Sequence, residues 1–85
     1  MLRLVVLSPS GELCRTTVRK VSFPGEIGAF TVLPGHAPLV SGLLSGRISY
    51  TDSDGAEHGI SIAGGFVRIW RNEVEACVEV MASNS

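Results

Sequence analysis

Apolar and polar side chains alternate with a period of two along nearly the whole chain, and this pattern restricts the fold more than any other feature. Leu2, Leu4 and Val6 alternate with Arg3, Val5 and Leu7. One face of that segment is fully apolar and the other partly so, as in a strand laid on a core. Nowhere do ten or more residues carry the 3.6-residue period of an amphipathic helix. The chain has to bury its apolar surface by stacking strands.

The turn residues divide the pattern into segments. Ser8-Pro-Ser-Gly11 reads as a tight turn, because proline fixes φ and glycine allows it to be positive. Leu13 to Phe23 reads as a second strand, rich in β-branched residues, with imperfect alternation and room for a bulge in its second half. Pro24-Gly25 is expected to form a type II turn. Ala29 to Leu33 is a short strand ended by Pro34-Gly35, and Leu39 to Leu44 is a strand or a short turn of helix. Arg47 to Asp52 and Glu57 to Ala63 flank the hairpin chemistry of Ser53-Asp-Gly55. Gly64-Gly65 marks a bend or a close backbone approach. Phe66 to Trp70 and Val74 to Val80 then form a last hairpin around Arg71-Asn-Glu73. Seven or eight short strands with turns every 6–12 residues predict a β-sandwich or a small barrel.

Length and charge bound the rest. Eighty-five residues make one domain, residues 1–85, and a chain of this size buries only roughly 60–65% of its unfolded surface. At 45% hydrophobic and 18% charged it is too apolar for disorder. The net charge is −1, with Lys and Arg scattered. No basic stripe is available for a phosphate backbone, so nucleic acid is not an expected partner. The apolar start, Met1 to Leu7, is too short for a signal-peptide core, and no run approaches the ~20 residues that cross a bilayer. Any membrane association is expected to be indirect. Cys14 and Cys77 lie inside predicted strands and read as small hydrophobes in a reducing compartment, with a Cys14–Cys77 bridge as the alternative.

The side chains able to do chemistry are few. Cys14, His36, His58 and Cys77 are 22, 22 and 19 residues apart, without the close pairs typical of a metal site. Nothing marks either cysteine as an activated thiolate. Asp52, Asp54 and His58 surround a hairpin tip and read as solvated. His36 reads as a loop histidine bonded to its own backbone or as an interface contact. Trp70 reads as packed at a sheet edge or as a contact for a partner. No catalytic residue, metal ligand or cofactor is assigned.

One segment resists these structural readings. Phe23 to Val40 holds three of the four prolines and two Pro-Gly steps, yet is full of apolar side chains. Leu33, Pro34, Pro38, Leu39, Val40, Leu43 and Leu44 cannot all enter the core of so small a domain. A stiff apolar loop is a surface made to be held against something, since rigidity lowers the ordering cost of binding.

Phe23-Pro-Gly25, Gly28-x-Phe30, Leu33-Pro-Gly-His-Ala-Pro-Leu39, Gly46 and Gly64-Gly-Phe66 resemble, in order and spacing, the epsilon subunit of the bacterial F-type ATP synthase. The resemblance covers essentially the whole chain and corresponds to that family's amino-terminal domain. It implies an all-β fold, a flattened β-sandwich of about ten short strands. It implies a non-catalytic rotor subunit at the foot of the central stalk, on the cytoplasmic face of the bacterial plasma membrane. One face would pack on the gamma subunit, and end loops would touch the polar loops of the c ring, coupling proton-driven rotation to ATP synthesis. The interface residues it implies are Ala29, Phe30, Pro34, Gly35, His36, Ala37, Pro38, Leu39, Val40, Leu43 and Leu44. Two features depart from the pattern. Ala29 stands where many members carry a carboxylate facing the ring, and whether Glu26 replaces it is open. The helical hairpin that usually follows is not present before Ser85, so auto-inhibition and ATP binding are not carried over. The rival reading, from another class, is a small ligand-binding or enzymatic β-sandwich acting through His36.

Overall fold

The computed structural model describes residues 1–80. Seven strands follow one another in these residues: β1 (Leu2–Ser8), β2 (Gly11–Phe23), β3 (Phe30–Val32), β4 (Leu39–Leu43), β5 (Gly46–Asp52), β6 (Glu57–Trp70) and β7 (Glu73–Val80). Two of them, β2 and β6, are long enough to serve in both layers of a sandwich. The first half of β2 pairs with β1, Leu2 opposite Val18 and Ser8 opposite Gly11. Its second half pairs with β3 and β5 around Val21. Likewise β6 pairs with β5 from Glu57 to Ile62 and with β4 from Gly65 to Ile69. One layer is β4, the second half of β6, β7, β1 and the first half of β2. The other is β3, the second half of β2, β5 and the first half of β6. The shortest molecular axis is 20 Å, the thickness of two sheets stacked about 10 Å apart.

The alternation seen in sequence sorts the side chains between these layers and water. Leu2, Leu4 and Val6 of β1 and Val74, Ala76 and Val78 of β7 are buried in one cluster with Val18, Val21, Phe23, Ile48, Ile62, Val67 and Ile69. β1 and β7 run parallel, which antiparallel hairpin neighbours cannot do; the chain has to travel through the second layer before it returns. The strand count expected from the resemblance was about ten. Seven are found among the described residues because β2 and β6 run unbroken from one layer to the other.

The glycine pair is where β6 makes that passage. Its register against β7 shifts between Ile62 and Gly64, a bulge of the kind that turns a strand from one sheet to the next. At Gly65, φ is 146°, and a Cβ would run into the carbonyl oxygen of Cys77. The sequence reading of a close backbone approach is therefore right, and the reading of two separate strands is replaced by one strand with an irregularity. Pro24-Gly25 does not form the expected type II turn. Gly25 bridges to Leu43, and the chain reverses two residues later, at Glu26-Ile27, where the amide of Gly28 donates to the carbonyl of Gly25 at 3.1 Å.

Replacing Gly65 by alanine combines the backbone clash with an unfavourable φ. It should cost about 2–4 kcal/mol of unfolding free energy, read from the midpoint of urea denaturation.

Candidate functional site

Two different devices fix the proline-rich segment, one beside the Leu43 end of β4 and one just before its Leu39 end. The stretch from Pro24 to Gly28 is strapped to the free edge of β4. The amide of Glu26 donates to the Gly42 carbonyl at 3.0 Å, and the amide of Leu44 donates to the Pro24 carbonyl at 2.8 Å. The strap covers part of an edge strand that would otherwise invite pairing. The Glu26 side chain lies against Gly42. Further on, the amide of His36 donates to the carbonyl of Leu33 at 3.1 Å, and Gly35 has φ of 86°. Leu33-Pro-Gly-His36 is thus a type II turn, with proline and glycine at the positions that geometry favours.

The eleven residues proposed from sequence separate by where they point. Ala29, Pro34, Gly35, Ala37, Pro38, Val40 and Leu44 are exposed, and His36 is half-buried. Leu43 is a correction: at 5% exposure it belongs to the core. Phe30 and Leu39 are half-buried and pack against the core. The Phe30 ring lies 5.7 Å from that of Phe23, so neither side chain offers its whole apolar surface to a partner. One surface residue was missed. Ile27, at the third position of the Gly25–Gly28 turn, is fully exposed. The signal was present in the glycines at 25 and 28, which bracket it. Leu33 is also exposed, as is Val40 at 70%. These side chains are exposed apolar knobs held on stiff turns.

The ionisable groups gather elsewhere. On β5 and β6, the ring of His58 stacks on Tyr50 with centroids 4.9 Å apart. Its Nε2 lies 2.8 Å from Oδ2 of Asp52. The other oxygen of Asp52 accepts the amides of Asp54 and Ala56, each at 2.9 Å. These residues are not the freely solvated groups the sequence suggested. Asp52 caps the hairpin, and His58 closes it. The bonds from His58 and the Ala56 amide hold the Asp52 carboxyl below its ordinary value. The Tyr50 hydroxyl lies 3.5 Å from Sγ of Cys14. That hydrogen bond, aided by burial, pushes Tyr50 up to about 12. Both cysteines are free. Among the described residues no three His, Cys, Asp or Glu converge on a metal-sized space. Among the described residues His36 bonds its own loop, with Nδ1 2.6 Å from the Ala37 carbonyl oxygen.

The outer face of the five-strand layer is concave, with a volume of about 850 Å³ bounded by Arg3, Val5, Arg15, Val40, Arg68 and Trp70 among others. Arg15 pairs with Glu12 at 2.8 Å and Arg68 with Glu75 at 3.3 Å. His36 is not among the residues bounding it.

The family described as "ATP synthase, Delta/Epsilon chain, beta-sandwich domain" matches residues 1–83. The chain belongs to this family. Its curated relatives are ATP synthase epsilon chains. That of a Nitratiruptor species is 41% identical over 78 residues, covering 92% of this chain and 60% of the relative. That of a Sulfurovum species is 34% identical, covering 93% and 62%. That of Paracoccus denitrificans is 35% identical, covering 87% and 50%. The chain therefore spans between half and about three-fifths of the length of these relatives. Two solved structures share the fold. One is the Euglena gracilis mitochondrial ATP synthase, OSCP/F1/c-ring, with a TM-score of 0.85 at 22% identity over 91% of this chain and 49% of that one. The other is the central stalk/c-ring of the Tetrahymena thermophila enzyme, with a TM-score of 0.76 at 12% identity over 92% and 63%.

The lowered pKa of Asp52 makes stability depend on pH in a fixed direction. A carboxyl held low in the folded state contributes its full stabilisation above about pH 5, and loses it as pH falls through the folded value. Urea midpoints of the wild type should exceed those of Asp52→Asn near neutrality, and the gap should close as the pH is taken below the ordinary aspartate range.

Proposed function

We propose that this domain is a non-catalytic part of the rotor of an F-type ATP synthase, linking the gamma subunit to the c ring. Through that link it would transmit proton-driven rotation to ATP synthesis. The observation that carries this reading is the set of exposed apolar side chains held on stiff turns at the two ends of β4. Ile27, Leu33, Pro34, Pro38, Val40 and Leu44 stand out on two backbone-anchored turns and an edge strand. Exposed apolar side chains on this scale suit a partner site, and the rigidity of the turns that carry them lowers the entropy lost on docking. Ala29 and the Gly35–Ala37 stretch are exposed or half-exposed beside these turns. Ala29 offers no carboxylate to a polar loop of the ring, and the Glu26 side chain lies back against Gly42 of β4. The concave outer face, bounded by Trp70, Val40 and arginines, fits a packed protein segment. Association with the bacterial plasma membrane would be peripheral and indirect, since no helix among the described residues is long and apolar enough to cross it.

The rival reading placed a ligand or a reaction at His36. That side chain turns back to its own backbone and does not line the concave outer face, which favours the rotor.

The edge-strand position Val40 separates docking from folding better than the half-buried Leu39 does. Val40→Asp should leave the melting temperature of the domain within a few degrees. It should weaken binding to a purified gamma–c-ring subcomplex by a factor of ten or more, since an unpaired charge at a desolvated contact costs on the order of 2–5 kcal/mol. Undiminished binding in calorimetry would remove Val40 from the interface.

A further inference from the structure

The loop from Leu33 to Pro38 satisfies itself poorly. Its internal bonds are the turn bond from His36 to Leu33 and the contact of His36 with Ala37. Among the described residues, one hydrogen bond ties it to the sheets: the amide of Gly35 donates to Oδ1 of Asn72 at 2.7 Å. Asn72 belongs to the two-residue turn between β6 and β7, far away in sequence. It lies in the left-handed region with φ of 62°, next to Arg71 at 49°. That is the geometry of a type I′ hairpin, which asparagine tolerates better than most residues. The backbone carbonyl of Asn72 accepts the amide of Arg3 at 2.8 Å. One residue thus joins three segments: the start of β1, the β6–β7 turn and the apolar loop. Beside it the half-exposed Trp70 carries the Arg71 guanidinium at 5.2 Å from its ring centroid.

We propose that Asn72 is the positioning residue of the docking end. Its side-chain oxygen sets the Leu33–Pro38 loop on the sandwich in the orientation that the rotor partner meets. This inference rests on the rotor reading given above. The reasoning is about preorganisation. The turn holds its own shape, but its placement on the sheet depends on the Gly35–Asn72 bond. Without it the loop has to be ordered at the moment of docking, and that cost falls on affinity. Fold stability depends on it far less, because the loop contributes little to the core.

Two substitutions separate the side chain from the backbone turn. Asn72→Gly removes the oxygen but suits a left-handed position at least as well, and it keeps the carbonyl that Arg3 uses. Asn72→Asp keeps an acceptor at the same place. Amide hydrogen exchange at Gly35, thermal melting, and binding to a purified gamma–c-ring subcomplex are measured for the wild-type chain and both variants. The expected result is at least tenfold faster exchange at Gly35 in Asn72→Gly, an unchanged melting temperature, roughly tenfold weaker binding, and recovery of both in Asn72→Asp. Unchanged Gly35 exchange in Asn72→Gly overturns the tie. Faster exchange with undiminished binding overturns its role in docking. A purely structural role would lower the melting temperature of Asn72→Gly along with its affinity, and that pattern also overturns the proposal. A wild-type chain that does not bind the subcomplex at all counts against the rotor reading instead, and the exchange data still decide whether Asn72 holds the loop.

Discussion

The rest of the structure depends on the passage of one strand between two layers. β6 belongs to both sheets, and it changes layer where Gly65 comes against the carbonyl of Cys77. Because that strand is continuous, its first half closes the four-strand layer against β5 while its second half carries β4 and β7 in the other. The described residues share one small core and have little stability to spare. Sharing strands between layers lets the same short chain close both sides of that core. The edge strand β4 hangs from the second half of β6, and the strap from Pro24 to Glu26 hangs from β4. The Pro24–Gly28 turn thus inherits its placement from the glycine passage.

Polar groups follow the same economy. The hairpin between β5 and β6 is closed by Asp52 and His58, and that between β6 and β7 by the left-handed pair Arg71-Asn72. In each case a side chain also completes a turn: Asp52 caps its own, while Asn72 reaches across to another loop. No buried side-chain nitrogen or oxygen among the described residues lacks a partner, so the apolar end is not balanced by a strained or unsatisfied interior. What is unusual is outside, where rigid apolar knobs face solvent.

Much of this was legible from alternation alone. β1 and β7, with Leu2, Leu4, Val6, Val74, Ala76 and Val78 inward, follow directly from a period of two, as does the all-β class. Gly64-Gly65 was recognisable as a close approach, though not as the middle of one strand. Alternation is silent about whether a chain that changes layer has ended. The candidate surface was less legible. Leu39, Val40, Leu43 and Leu44 are all apolar, so the pattern could divide them into two faces without saying which is inward. The pairing of Leu39 with Ile69 and of Leu43 with Gly65 decides that. Ile27 and Asn72 were passed over for different reasons. Ile27 sits in an apolar run whose turn was placed two residues early. Asn72 acts through a contact 37 residues away in sequence, beyond the reach of local patterning.

The proposal at the centre of this account is that the proline-stiffened segment from Glu26 to Leu44 is where the domain docks in its complex. Amide hydrogen exchange of the chain, alone and bound to a gamma–c-ring subcomplex, tests it most directly. The account predicts new protection concentrated between Glu26 and Leu44 and across the outer face around Trp70, with the β5–β6 hairpin at Ser53–Glu57 unchanged. Protection that appeared at that hairpin and left residues 26–44 exchanging as in the free chain would contradict it.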